Sequence, residues 1–208
     1  AFIPSLDLSG VAGEERDGRL EAYVKELQEV DPEELHNQCH GAAGLAYDAR
    51  NCVFGATDVA GDRAMHSLPA SQILEGCGGS AQTLGTSLQA MDEMLYLFYQ
   101  HKGLSDDPNA GEKNQMPVSR INIRYQRMFE GAFMYAGGAH IGIEYGSAPA
   151  MACGTPVVAD EKGKYISGSY FGWGIGHEIG HEINEGAYAV AEVTNNYFPQ
   201  LVKSRDSN

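Results

Sequence analysis

The segment His177-Glu178-Ile179-Gly180-His181 constrains this chain more than any other. It is a His-Glu-x-x-His pattern. On a helix, residues four apart lie one turn apart on one face, so both imidazoles point the same way. Two nitrogens so placed can share one Zn²⁺, and Glu178 beside them can act on a metal-bound water. A third protein ligand would fix the ion and leave a fourth position open. The preceding Phe171-Gly172-Trp173-Gly174-Ile175 is apolar, which sets the motif at a buried helix start and not on a solvated, charged face.

Three carboxylates follow as third-ligand candidates: Glu182, Glu185 and Glu192. Glu182 is one residue past His181 and points about 100° away around the helix. Glu185 is on the right face but about 6 Å further along the axis. Glu192 would be about 16 Å away on one unbroken helix. However, Asn184-Glu185-Gly186 reads as a helix stop, with Gly186 in the left-handed C-terminal position. A second helix from about Ala187 would then fold Glu192 back to the metal, so Glu192 is the expected third ligand. Asn195 and Asn196, three and four residues on, are placed to orient a ligand by hydrogen bonds; the competing reading is an ordinary helix surface.

These residues carry a resemblance. His177 to His181, followed after a short gap by Glu192-Val193-Thr194-Asn195-Asn196, resembles the enhancin-like zinc metallopeptidases, which include viral enhancins and bacterial mucin-degrading proteases. Met134-Tyr135-Ala136-Gly137-Gly138-Ala139-His140-Ile141-Gly142 resembles the family's segment ahead of the zinc helix. Ala56-Thr57-Asp58-Val59 and Ser67-Leu68-Pro69-Ala70 resemble an earlier one. The likeness covers residues 50–208; residues 1–50, a helical N-terminal part, match only weakly.

The resemblance implies an α+β fold of the zincin (gluzincin-like) type, a mixed sheet over helices with the His-Glu-x-x-His helix beneath the cleft. It implies a secreted or cell-surface bacterial endopeptidase, with two His and one Glu on Zn²⁺, that cuts O-glycosylated, mucin-type proteins. Glu178 would take a proton from the zinc-bound water and pass it to the leaving amine. Residues 1–208 would form one catalytic region, with the family's C-terminal helical subdomain outside it. Two other readings stay open: a glycoprotein-binding module or fragment that does not cut, and a zinc hydrolase of a non-peptide bond.

Charge narrows the partners. The chain has 28 acidic against 14 basic residues, a net charge of −14, which argues against nucleic acid. Bulk charge also gives no steering toward acidic glycans, so any glycoprotein must be held by local pockets. There is no apolar run of about 18 residues to span a membrane. Cys39, Cys52, Cys77 and Cys153 lack metal-type pairing and read as free thiols or as disulfides.

Periodicity gives the remaining elements. Leu20, Tyr23, Val24 and Leu27 recur at helical spacing, and Asp31-Pro32 is a helix start. Residues 48–66 read as loop or irregular strand. A long helix from about Ser80 carries Leu88, Met91, Leu95 and Phe98. Residues 104–113 read as a polar loop, with Asp106 and Asp107 a faint calcium signal. Ile121, Ile123 and Tyr125 alternate as a strand. Residues 132–145 read as one strand with a bulge at Gly137-Gly138; by resemblance it pairs with a substrate backbone, with Gly137, Gly138 and His140 as candidate substrate contacts. His140 also reads as a structural histidine, and Tyr188 and Tyr197 as packing residues.

Overall fold

Apolar residues at helical spacing build one layer of the molecule, in a computed structural model that describes residues 3–50, 55–129, 131–154 and 169–206. Helix α1 (Gly13–Gln28) buries Leu20, Tyr23, Val24 and Leu27, the stripe the spacing predicts. Helix α2 (Pro32–His40) starts where expected: Asp31 accepts a hydrogen bond from the Glu34 N–H, with Pro32 in the first turn. After α3 (Ala70–Cys77), helix α4 (Ala81–His101) begins at Ser80, whose hydroxyl accepts from the Thr83 N–H. Its Leu88, Met91, Leu95 and Phe98 are buried.

The other layer is a sheet of β1 (Leu6–Asp7), β2 (Ala56–Ala60), β3 (Ala64–Pro69), β4 (Ile121–Tyr125), β5 (Met134–Ala136) and β6 (His140–Ile143). The spatial order is β1-β2-β3-β4-β6-β5. β2–β3 and β5–β6 pair antiparallel and the other neighbours parallel, so the sheet is mixed. Val59, Leu68, Ile123, Ile141 and Ile143 pack in one core with Leu27, Met91, Leu95 and Phe98.

Two expectations change. Where the sequence predicts loop or irregular strand, β2 and β3 form a regular hairpin paired from Ala56↔Pro69 to Ala60↔Met65. Ala56, Asp58 and Ala60 are poor strand formers, so pairing and burial override propensity here. The 132–145 stretch is two strands and not one bulged strand. It reverses at Gly138-Ala139, both left-handed at φ +64°, as a type I′ hairpin turn requires. Gly142 lets the Tyr135 ring lie across β6, because a Cβ there would meet that ring at 2.0 Å. Residues 104–111 are a loop in which Asp107 accepts from the Asn109 N–H. Cys39, Cys77 and Cys153 carry free thiols; Cys52 lies outside the described residues.

The core holds a buried histidine. His66, on β3, is 3% exposed, and neither ring nitrogen has a hydrogen-bond partner among the described residues. Burial pushes its pKa down from 6.5 to about 4, opposed in part by the main chain of Val59, its cross-strand neighbour. His66 is neutral in both states above the unfolded value. As pH falls, the unfolded chain takes up the proton first. Stability is therefore lost between pH 6.5 and about pH 4, by up to roughly 3 kcal/mol from this group. In urea titrations across that window, His66→Leu should show a shallower fall of unfolding free energy than the native chain. Equal slopes would refute the assignment.

Candidate metal centre

Helix α5 (Ile175–Ile183) follows a π-helical turn, Ser169–Gly174. Ile175 and Ile179, one turn apart, are fully buried and fix which face α5 turns inward. His177, Glu178 and His181 are left at the partly exposed boundary. Phe171 anchors the helix start by lying over Gly154, where a Cβ would meet its ring at 2.1 Å. The Gly154 N–H donates to Ser87 Oγ at 2.8 Å, and that hydroxyl donates to the Met151 carbonyl at 2.8 Å, which ties this anchor to α4. At the other end, Lys102 Nζ donates to the Ile183 carbonyl.

α5 touches β5 and β6 at the margin of the sheet. β5 is the edge strand. Its neighbours Phe133 and Gly137 bond inward, through Glu144 N–H to Phe133 O and Gly137 N–H to His140 O. Antiparallel alternation then turns the main-chain groups of Met134 and Ala136 outward. The Ala136 main chain faces Glu178.

The chain does not leave α5 by the expected route. Asn184 ends the helix in an extended conformation, and Gly186 is not left-handed. No helix begins at Ala187. Turns closed by Tyr188 N–H to Glu185 O and Val193 N–H to Val190 O reverse the chain instead. Glu192 lies in them at φ +62°. A left-handed conformation costs a non-glycine residue about 1–2 kcal/mol, and such strain gathers at functional sites.

The turns deliver Glu192 to the histidines. Its Oε2 is 3.1 Å from His177 Nε2 and its Oε1 3.2 Å from His181 Nε2. One donor atom from each of the three side chains lies within 4.8 Å of the others. Asn195 and Asn196 follow on the one-turn 3₁₀ helix Thr194–Asn196, ahead of α6 (Tyr197–Asp206). Asn195 is buried, contrary to a helix-surface position, and its Nδ2 lies 2.8 Å from Nε2 of both histidines. Asn196 Nδ2 donates to the Glu192 carbonyl at 2.7 Å, which leaves its Oδ1 to accept from His177 Nδ1 at 2.7 Å.

That network fits a cation. With its Nδ1 proton given to Asn196, His177 turns the Nε2 lone pair toward the Glu192 carboxylate. Acceptor faces acceptor, a repulsion that a shared positive ion relieves. Two imidazole nitrogens and one carboxylate are also the donor set of catalytic zinc centres. Glu178 sits half-buried at the same helix. Burial raises its carboxyl above the ordinary carboxylate range, while His177 and His181 pull the other way.

Other sequence candidates lie elsewhere. Gly137 and Gly138 belong to the β5–β6 turn. The His140 ring is held by Arg124 at 2.9 Å and by the Tyr135 hydroxyl at 2.8 Å, as a structural histidine would be, and is not part of the ligand group. Tyr188 is 84% exposed, so it does not pack. Tyr197 is half-exposed, with its ring against His101 and Phe198 and its hydroxyl 2.6 Å from His101 Nε2.

No protein-family model and no curated protein matches the sequence. The fold, however, matches solved structures. The M60 catalytic domain of ZmpC from Clostridium perfringens, solved in complex with the sialyl T antigen, is similar at TM-score 0.65 and 22% identity over 99% of this chain and 33% of that one. The ZmpB metallopeptidase from Clostridium perfringens is similar at TM-score 0.65 and 22% identity, again over 99% and 33%. A metallopeptidase in complex with Tn antigen gives TM-score 0.56 and 16% identity over 98% and 29%. The chain spans about a third of the length of these solved chains. Its mixed sheet and helices match the fold of the M60 catalytic domain, and within it His177, His181 and Glu192 cluster like a zinc site.

Gly180 is the contributor that sequence reasoning passes over, although its place inside the motif was a signal. A Cβ at 180 would meet Asn195 Cβ and O at 2.8 Å and Cα at 2.9 Å. Those are mainly backbone atoms, so the 194–196 turn would have to move. Gly180→Ala should weaken zinc binding at least about tenfold while helix content by circular dichroism is kept. Competition against a chromophoric chelator measures it; native affinity in the variant would show that the contact does not position the ligands.

Proposed function

We infer that this chain is the catalytic region of a zinc-dependent endopeptidase related to the enhancin-like metallopeptidases, acting on O-glycosylated, mucin-type proteins. The observation that carries this reading is the convergence of His177, His181 and Glu192 beside a half-buried Glu178, next to a sheet edge whose main chain turns outward. In this reading His177, His181 and Glu192 hold the ion. Asn196 fixes the His177 tautomer by accepting from His177 Nδ1.

Zinc held by His177, His181 and Glu192 would supply Lewis-acid chemistry there, polarising a carbonyl and acidifying a water. Glu178 accepts that water's proton and returns it to the leaving nitrogen. Met134 and Ala136 offer outward main-chain groups to an extended peptide. For the substrate class, support comes from two similar structures solved with the sialyl T and Tn antigens. A secreted or cell-surface bacterial enzyme fits such a substrate, and no described helix is long and apolar enough to cross a membrane.

Glu178 and the ligands separate experimentally. Elemental analysis should find about one zinc per chain, lost in His181→Ala and retained in Glu178→Gln. The latter should lose hydrolysis by orders of magnitude. Glu178→Gln turnover at the native rate would exclude the mechanism. Glycan dependence is tested with one mucin-type glycopeptide and its unglycosylated twin, followed by mass spectrometry. Polar groups that pair with sugar hydroxyls are left unpaired by the bare peptide, so it should be cut far more slowly. Equal rates would leave a general zinc endopeptidase, and binding without cleavage of either would leave a glycoprotein-binding module.

A further inference from the structure

Two cysteines far apart in sequence meet away from the metal centre. Helix α3 ends at Cys77, and Cys153 directly follows the 3₁₀ turn Ala148–Ala152. These two elements are pressed together. A Cβ at Gly76 would meet the Pro149 carbonyl oxygen at 2.1 Å and Ala152 Cβ at 2.9 Å, so the elements touch one residue before each cysteine. Cys153 Sγ lies 3.4 Å from that same Pro149 oxygen. The two thiols also sense each other. Burial first, and then the Cys77 thiol, push the Cys153 thiol above its ordinary pKa.

We propose that Cys77 and Cys153 are a covalent modification site, oxidised to a disulfide that ties α3 to the segment seating helix α5. Closing the bond asks little of the chain. Both cysteines sit at element ends. Cys77 runs into Gly78 and Gly79, left-handed at φ +59° and +72°, and Cys153 is itself a cap residue at φ −131°. The thiols give up only weak bonds, from Cys77 Sγ to the Leu74 carbonyl at 3.9 Å and from Cys153 Sγ to that of Pro149. Next to Cys153 stands Gly154, whose N–H donates to Ser87 and over which Phe171 lies at the start of α5. The disulfide holds that seat from α3, as Ser87 holds it from α4.

The oxidant is a low-molecular-weight disulfide such as oxidised glutathione, acting by thiol–disulfide exchange. Exposure sets the order, since Cys153 is exposed and Cys77 only 3% so. The Cys153 thiolate attacks one sulfur of oxidised glutathione and releases one glutathione thiolate. Cys77, its own proton given up, then attacks Cys153 Sγ in the mixed disulfide and releases the second. Two protein thiols are oxidised, one small disulfide is reduced, and the two protons leave on the two glutathione thiols. The raised pKa of Cys153 makes the first step faster as pH rises. Such a bond persists outside the reducing cytosol, as at the secreted or surface location inferred above. The inference is otherwise independent of the peptidase reading.

The test takes the whole chain, first fully reduced, into a buffer rich in oxidised glutathione, and needs no peptidase assay. Trypsin puts each of the four cysteines on its own peptide. The peptides carrying Cys77 and Cys153 should emerge joined, two hydrogens lighter than their sum, and should separate on reduction. Cys77→Ser should stop at a glutathione adduct on Cys153, and Cys153→Ser should leave Cys77 a free thiol. The bond closes a loop of about 75 residues, so Tm should rise by about 5–15 °C over the reduced chain. Pairing of either cysteine with Cys39 or Cys52 overturns the proposal, and so does a native chain in which both stay reduced or Cys153 remains a glutathione adduct. A joined chain that melts no higher than the reduced one overturns the bracing of the α5 seat. The peptide map of the native chain decides even where a serine variant fails to fold.

Discussion

The contact of the 194–196 turn with a side-chain-free position on α5 is the joint on which the candidate site depends. Asn195 and Asn196 reach the histidines from that turn, and Glu192 lies just ahead of it. The turn can lie against the helix only because residue 180 is glycine. The joint is braced from α4, where Lys102 meets the end of α5 and His101 meets Tyr197, just past the turn. α4 is in turn the central core helix, with Met91, Leu95 and Phe98 fully buried. Packing of an ordinary apolar stripe thus sets the position of three polar side chains that lie far away in sequence.

Charge and burial divide the work at the site. Glu192 is 71% exposed, whereas the His177 and His181 side chains are mostly covered. An ion would meet a solvated carboxylate on one side and fixed, hydrogen-bonded donors on the other. Glu178 is half-buried beside the edge strand, where burial raises its pKa and the Ala136 main chain pulls it back. The net charge of −14 favours cation uptake over the whole surface, so selectivity for a particular ion falls to the donor types and their spacing.

The elements legible in the sequence were those with strong periodicity or cap chemistry. The α1 and α4 stripes, the Asp31 cap, strand β4 and the α5 motif belong here. The return of Glu192 to the two histidines is legible because a third donor has to come from a nearby carboxylate, but its route is not. Asn184-Glu185-Gly186 looks like a glycine-terminated helix, yet the reversal is made by carbonyl-closed turns with the strain placed on Glu192 itself. The β2–β3 hairpin was hidden because Ala-Thr-Asp-Val-Ala has little strand propensity and is held by its neighbours. Gly137-Gly138 marked an irregularity, but its nature depended on the next residue, Ala139, also adopting a left-handed backbone. The burial of Asn195 depends on three-dimensional contact with residue 180, and no pattern within 192–196 encodes it.

The left-handed backbone at Glu192 sets stability against function at a single residue. Glycine would adopt φ +62° without the penalty that glutamate carries there. The backbone term alone therefore favours loss of this side chain. A glutamate kept at such a position is held by what its carboxylate does and not by what its conformation contributes to the fold. Selection for thermal stability alone would drift toward a chain that folds somewhat better and has lost one of the three clustered donors.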